Sequence, residues 1–184
     1  SAYPQAVTRQ MVLNFLAGGA AANVFAKSVG ADVQVVDAGI VGNPIEHSDL
    51  TDCRIGPGTA NAIERPAMTS GELGQALEAG RSIGASVTAD VICFGEMGIG
   101  NTSAASLIAA KLLGQPVAVL VGRGTGLDDE GLARKRAILA QAAARTPDKL
   151  TAEIALCEYG GFEIAMMAAA MTIAAKAQRI IIVD

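Results

Sequence analysis

The residues best suited to chemistry stand at 95–102, Gly-Glu-Met-Gly-Ile-Gly-Asn-Thr. They follow an apolar run at 90–94, Asp-Val-Ile-Cys-Phe, and precede an alanine-rich helical pattern at 103–113. A strand, a glycine turn and a helix N-terminus in that order offer bare backbone N–H groups and a positive dipole end to an anion. Glu96 lies inside the turn, where a simple phosphate cradle needs no carboxylate. The spacing Gly-x-x-Gly-x-Gly is neither the dinucleotide fingerprint nor a Walker loop. On spacing alone, a tight strand-to-helix turn with a solvated Glu96 and a phosphate site are equal readings.

A second glycine turn occupies 122–126, Gly-Arg-Gly-Thr-Gly, after the apolar run Val-Ala-Val-Leu-Val at 117–121. Alone it is as weak a signal as the first, but two such turns in one sheet could jointly cradle a phosphate or ribose, with Thr125 adding a hydroxyl. Lys135 lies in a basic stretch that would ordinarily be a solvated helix face. On a helical wheel it falls near the centre of the side defined by Leu132, Ile138, Leu139 and Ala142. A lysine there either snorkels past its neighbours or reaches into a cleft toward an anion, and the cleft is the favoured reading. Glu163, just after Gly160 and Gly161, reads as a helix N-terminal carboxylate. His47 lies in a polar loop and takes a structural or solvent-facing role by default.

Composition excludes several classes. Net charge is −4 with no basic block, which argues against nucleic-acid binding. One histidine and three scattered cysteines, Cys53, Cys93 and Cys157, give no zinc set. They suit a reduced, cytoplasmic protein, with Cys93 acting as a small hydrophobe within its strand. The apolar stretch at 164–175 is too short to span a bilayer. At 184 residues, the chain suits one well-buried domain.

The elements expected to position these residues are mostly helical. The pattern predicts a long helix over 5–28 with Gly18 and Gly19 inside it, a strand at 33–37 ending in Asp37, and a long polar connection over 42–70. Thr69 to Glu72 has the form of a capping box and opens a helix to about Ser86. Strands at 90–94, 117–121 and 180–183 are expected, with helices over 103–113, from about 128 to 144, over 148–158 and over 162–177. The last is apolar almost all round, as a core or subunit-contact helix would be. Apolar strands separated by helices indicate an α/β fold: a parallel sheet with helices on both faces, a Rossmann-like three-layer core. Ligands bind such sheets beyond the carboxyl ends of strands, where Asp37, Glu96, the second glycine turn and Asp184 are expected to converge.

Several segments in order resemble one family. Residues 95–102 and the run at 122–135, Gly-Arg-Gly-Thr-Gly-Leu-Asp-Asp-Glu-Gly-Leu-Ala-Arg-Lys, look like nicotinate-nucleotide–dimethylbenzimidazole phosphoribosyltransferases. Segments 57–61, 160–165 and 1–5 through Gln10 and Met11 add to the likeness, which runs over nearly the whole chain. The resemblance implies transfer of a phosphoribosyl group from nicotinate mononucleotide to 5,6-dimethylbenzimidazole, giving α-ribazole 5′-phosphate and nicotinate in cobalamin biosynthesis. It implies no metal or other cofactor, and a homodimer. Gly98, Ile99, Gly100, Asn101, Gly124, Thr125 and Gly126 are then expected at the nucleotide, Glu96 and Lys135 in the active site, and Ser1, Tyr3, Gln10 and Met11 at the benzimidazole. The family's proposed general base is a glutamate in a glycine-rich segment beyond residue 184. The family's smaller helical domain is likewise expected to lie outside these residues. The chain is therefore expected to be a core fragment that binds nucleotide with little or no turnover alone. The alternative is a noncatalytic nucleotide- or benzimidazole-binding module.

Overall fold

The computed structural model describes residues 4–124 and 126–183. Helix α1 (Ala6–Leu16) ends at Ala17, and Gly18 turns the chain with φ +73° before α2 (Ala21–Val29). The single helix expected over 5–28 is thus two, because Gly18 adopts left-handed backbone that side chains resist. By length and composition alone, the stretch Ala6–Val29 is apolar enough to cross a membrane. The break at Gly18 divides it.

Strand β1 (Val35–Asp37) pairs in parallel with β2 (Leu50–Asp52), inside the connection that the sequence left unassigned. Three residues show too little alternation to announce a strand. Helix α3 (Ser70–Ser86) opens on the expected capping box: Thr69 Oγ1 accepts from Glu72 N, and the Glu72 carboxylate accepts from Thr69 N at 2.7 Å. Strand β3 (Val91–Cys93) leads through the glycine turn to α4 (Asn101–Leu113).

Residues 117–121 depart from expectation. They form one helical turn, α5 (Val117–Leu120), entered from Pro116. A β-branched run becomes a strand only beside a ladder partner. Here Val117 and Val121 instead bury against Leu107, Ala110, Leu139 and Ala142, while Val119 remains 73% exposed. Helices α6 (Asp129–Ala143), α7 (Ala152–Tyr159) and α8 (Phe162–Lys176) follow, and β4 (Ile180–Ile182) pairs in parallel with β3.

The protein is α/β, and its strand pairing is parallel throughout. Among the described residues the four strands form two separate pairs rather than one ladder. Cys93, expected inside, is exposed, because Val91, Ile180 and Ile182 beside it also remain open to solvent.

Two apolar centres hold the helices. In one, α8 lies against α3 so closely that a Cβ on Gly80 would sit 2.2 Å from the Met166 carbonyl, and one on Gly84 2.5 Å from that of Ala170. Met68, Leu73, Ala76, Phe162, Ala165 and Met166 fill this contact. The ring of Phe162 presses on Gly39, which joins the exit of β1 to the start of α8. The second centre gathers α4, α5, α6 and α7 around Tyr159. Its hydroxyl donates to Ala142 O at 3.1 Å and lies 2.8 Å from Thr146 Oγ1. Lys111, 3% exposed, donates to the carbonyls of Ala143, Thr146 and Pro147 at 2.7, 3.1 and 2.9 Å. These carbonyls lie at the end of α6 and in the chain just beyond it, where a cation meets the negative dipole end. Burial holds the Lys111 titration below the ordinary lysine range. This anchorage fixes how α6 lies across α4, and so where Lys135 reaches.

Candidate active site

Gly100, with φ +108°, caps α4 without a side chain. Asn101 N and Ser103 N donate to the Gly98 and Gly100 carbonyls at 3.3 and 2.9 Å, and no side chain covers the helix end, whose positive dipole end can receive an anion. At Gly98 a Cβ would stand 2.6 Å from Asn101 Oδ1, so a side chain there would displace the Asn101 amide. Ile99 N donates to Thr8 Oγ1 at 3.1 Å, which docks α1 on the turn.

The second glycine turn meets this same helix end. Lys135 lies on the packed side of α6 with Leu132, Leu139 and Ala142, as the wheel indicated, whereas Ile138 is exposed. Its Nζ donates to Thr102 Oγ1 at 2.9 Å and to Gly122 O at 3.3 Å. A Cβ on Gly124 would lie 3.3 Å from the Thr102 hydroxyl and 3.5 Å from Lys135 Nζ, and Gly124 itself has φ +61°. The lysine, the two turns and the α4 N-terminus thus form one cationic corner. Desolvation lowers the Lys135 titration from the ordinary lysine range.

Glu96 accepts a hydrogen bond from Asn101 Nδ2. Its titration is raised, first by desolvation and then by the negative charge of Glu163. Glu163 is raised likewise by burial, partly offset by hydrogen bonds from its own backbone N–H and from Asn101. The sequence reading gave Glu163 only a helix-terminal role. It does stand in the first turn of α8, and its negative charge also bears on Glu96. The signal that could have found it is Gly161, where a Cβ would be 2.2 Å from Glu163 Oε1.

Other candidates lie apart from this corner. Asp37, 2% exposed, accepts from Gly39 N at 2.8 Å and Ile40 N at 2.9 Å and faces Arg54 Nη1 at 3.6 Å. Its carboxylate is committed to the turn after β1. The Gly122 turn follows a helical turn, so it does not end a strand. Gln10 is exposed and Met11 half-buried on α1. Gly126 is described, with φ +98°, while Ser1, Tyr3, Thr125 and Asp184 lie outside the described residues. His47 Nδ1 accepts from Asp49 N at 3.1 Å, a loop role. An open groove of about 680 Å³ between β2 and α3, lined by Thr51, Asp52, Arg54, Gln75 and Ser82 among others, holds no residue of either glycine turn. The groove follows shape alone, whereas the Lys135 corner carries the convergent donors that an anion requires. Among the described residues, no three His, Cys, Asp or Glu side chains group as metal ligands.

Comparison with known proteins identifies the family. The phosphoribosyltransferase family model DBI_PRT matches residues 1–184. A nicotinate-nucleotide–dimethylbenzimidazole phosphoribosyltransferase of Dechloromonas aromatica is 50% identical across the whole chain, which covers 55% of that protein. The protein of the same name from Aromatoleum aromaticum is 49% identical, with 54% of its length covered. The crystal structure of CobT from Thermus thermophilus superposes with a TM-score of 0.92 at 44% identity, over all of this chain and 56% of that one. The chain therefore spans about half the length of the curated relatives it matches. With its whole length matched, the chain belongs to the phosphoribosyltransferase family.

Proposed function

We propose that this chain is the nucleotide-binding part of an enzyme that transfers the phosphoribosyl group of nicotinate mononucleotide to 5,6-dimethylbenzimidazole, giving α-ribazole 5′-phosphate in cobalamin biosynthesis. The observation that carries this reading is the meeting of both glycine turns with Lys135 at the uncapped N-terminus of α4. In the reaction, the bond between the anomeric carbon and the nicotinate ring nitrogen breaks, and its electron pair leaves with nicotinate. A benzimidazole nitrogen forms the new bond to that carbon, and the proton on its other nitrogen passes to a base. The backbone donors around Gly98, Ile99, Gly100 and Asn101, with Gly124, Thr125, Gly126 and Lys135, would hold the nucleotide. Glu96 would face the anomeric carbon, where positive charge develops and a carboxylate is stabilising. Ser1, Tyr3, Gln10 and Met11 are the proposed neighbours of the benzimidazole.

A Rossmann-like three-layer core in the whole protein is supported by the parallel pairing of both strand pairs. Homodimerisation is supported by the almost wholly apolar character of α8, and is tested by sizing the protein in solution. Free Cys53, Cys93 and Cys157 suit a reducing, cytoplasmic compartment.

The test is to incubate the purified chain with both substrates and quantify released nicotinate. Release that depends on benzimidazole means that Glu96 and Lys135 carry sufficient chemistry. A melting temperature raised by the nucleotide without release means a binding core whose base comes from elsewhere. Neither response would overturn the proposal; a chain that shows no release and no thermal response to the nucleotide would.

A further inference from the structure

Between Cys93, the last paired residue of β3, and Asn101, the first of α4, the chain crosses the first glycine turn with little of its own to hold it. Gly95, Gly98 and Gly100 leave the backbone its widest freedom, and Gly100 takes φ +108°. The bonds within the turn are local: Asn101 N donates to Gly98 O at 3.3 Å, and the Asn101 amide to the Glu96 carboxylate. Among the described residues, one hydrogen bond reaches 95–100 from a distant part of the chain. Ile99 N donates to Thr8 Oγ1 at 3.1 Å, across 91 positions.

The acceptor stands on a packed helix face. Thr8 is 9% exposed, and Val12, one turn along the same side of α1, is buried with it. Arg9 holds the helix again, its Nη1 donating to Asn43 O at 2.5 Å. By engaging Ile99 N, the Thr8 hydroxyl fixes the centre of the turn. Gly98 N and Gly100 N flank that bond, and neither has an acceptor among the described residues. Donors so left over suit an anion. The chemistry of the acceptor fits the same purpose. A carboxylate would hold Ile99 N more strongly but would set a negative charge beside the anion, whereas a hydroxyl holds it without charge.

We infer that Thr8 is a positioning residue of the nucleotide site: through Ile99 it sets the first glycine turn in the form that presents Gly98 N and Gly100 N to the nucleotide. It acts through the turn rather than on the substrate. Met11 also stands one turn from Thr8 on the same helix face, so the bond ties the nucleotide turn to the helix proposed to meet the benzimidazole. This inference rests on the reading that the first glycine turn receives the nucleotide.

The test reads the order of the turn and its affinity for nucleotide in wild type, Thr8→Val, Thr8→Ser and Val12→Ala. Valine keeps the shape of threonine without the acceptor, and serine keeps the acceptor. Val12→Ala loosens the same helix face and leaves the bond in place. In Thr8→Val the ¹⁵N order parameters of Ile99 and Gly100 fall from the rigid range, about 0.85, to below about 0.6. By calorimetry that variant binds nicotinate mononucleotide about three- to tenfold more weakly, the factor one net hydrogen bond supplies. Thr8→Ser and Val12→Ala stay near wild type in both measurements. If Thr8→Val does not fold, Thr8→Ala removes the same acceptor and carries the same expectations. Unchanged order parameters or unchanged affinity without the acceptor overturn the inference. An equal loss in Val12→Ala does so too, because the effect is then one of helix packing. A wild type that binds no nucleotide overturns the functional reading instead, and the order parameters then decide by themselves whether Thr8 positions the turn.

Discussion

Replacing Lys135 by methionine removes the one side-chain cation held between the two glycine turns and keeps most of the aliphatic stem that packs with Leu132 and Leu139. In the free protein its ammonium already donates to two neutral oxygens, Thr102 Oγ1 and Gly122 O. Binding a phosphate exchanges these bonds for charge-assisted ones. Hydrogen bonds to charged groups contribute about 1.5–3 kcal/mol net, and the exchange places Lys135 in the lower half of that range, at about 2 kcal/mol. That loss weakens nucleotide affinity roughly 30-fold, at about 1.4 kcal/mol per factor of ten. Thermal shift reads it directly. With nicotinate mononucleotide at about 100 times the wild-type Kd, linkage stabilises the wild type by about 2.7 kcal/mol and the variant by about 0.9 kcal/mol. For a chain of this length, at about 2–4 °C per kcal/mol, the wild-type melting temperature rises about 5–11 °C and that of Lys135→Met about 2–4 °C. The pH dependence has a definite sign. Desolvation lowers the Lys135 titration, so the nucleotide-induced shift declines as pH rises through that lowered value, earlier than for an ordinary lysine. An undiminished shift in Lys135→Met, or one that persists well into the alkaline range, would refute the placement of phosphate at this corner.

Gly124→Ala forces a side chain into left-handed backbone, which costs about 1–2 kcal/mol, and sets a methyl 3.3 Å from Thr102 Oγ1; urea titration should show that loss, with a weaker nucleotide-induced thermal shift beside it. Gly80→Ala drives a methyl to 2.2 Å from the Met166 carbonyl, so α3 and α8 must part and the urea midpoint should fall by the equivalent of about 1–3 kcal/mol; an unchanged midpoint contradicts the close helix contact. Tyr159→Phe removes the hydroxyl between Ala142 O and Thr146 Oγ1, which keep Arg145 N and Pro147 O as further partners, at a cost of about 0.5–1.5 kcal/mol read in the same titration, and nucleotide affinity should stay near wild type if α6 keeps its place.

Local signals were legible wherever the physics was local. The capping box at Thr69 and Glu72 satisfies helix donors within four residues and formed as read. The α6 wheel put Lys135 on the packed side because side-chain direction along a helix follows from residue spacing alone. The glycine turn at 95–100 and the parallel pairing of β3 with β4 were likewise visible, the latter as apolar runs without alternation.

What failed depended on partners distant in the chain. The run at 117–121 has strand propensity but no ladder beside it, so it coils and buries Val117 and Val121 instead. Leu50 to Asp52 becomes a strand only because β1 lies alongside. Asp37 looked like a site carboxylate until the fold committed it to the turn amides and Arg54. Glu163 shows the reverse case. Nothing within its own helix marks it as more than a terminal charge, since the effect of its charge on Glu96 is felt across a long stretch of chain. The sequence by itself determined which residues could bind an anion, because residue type and spacing govern backbone donors and helix faces. Tertiary structure decided which of them meet, as Lys135 meets Thr102 and Gly122, because contact and burial depend on distance in space.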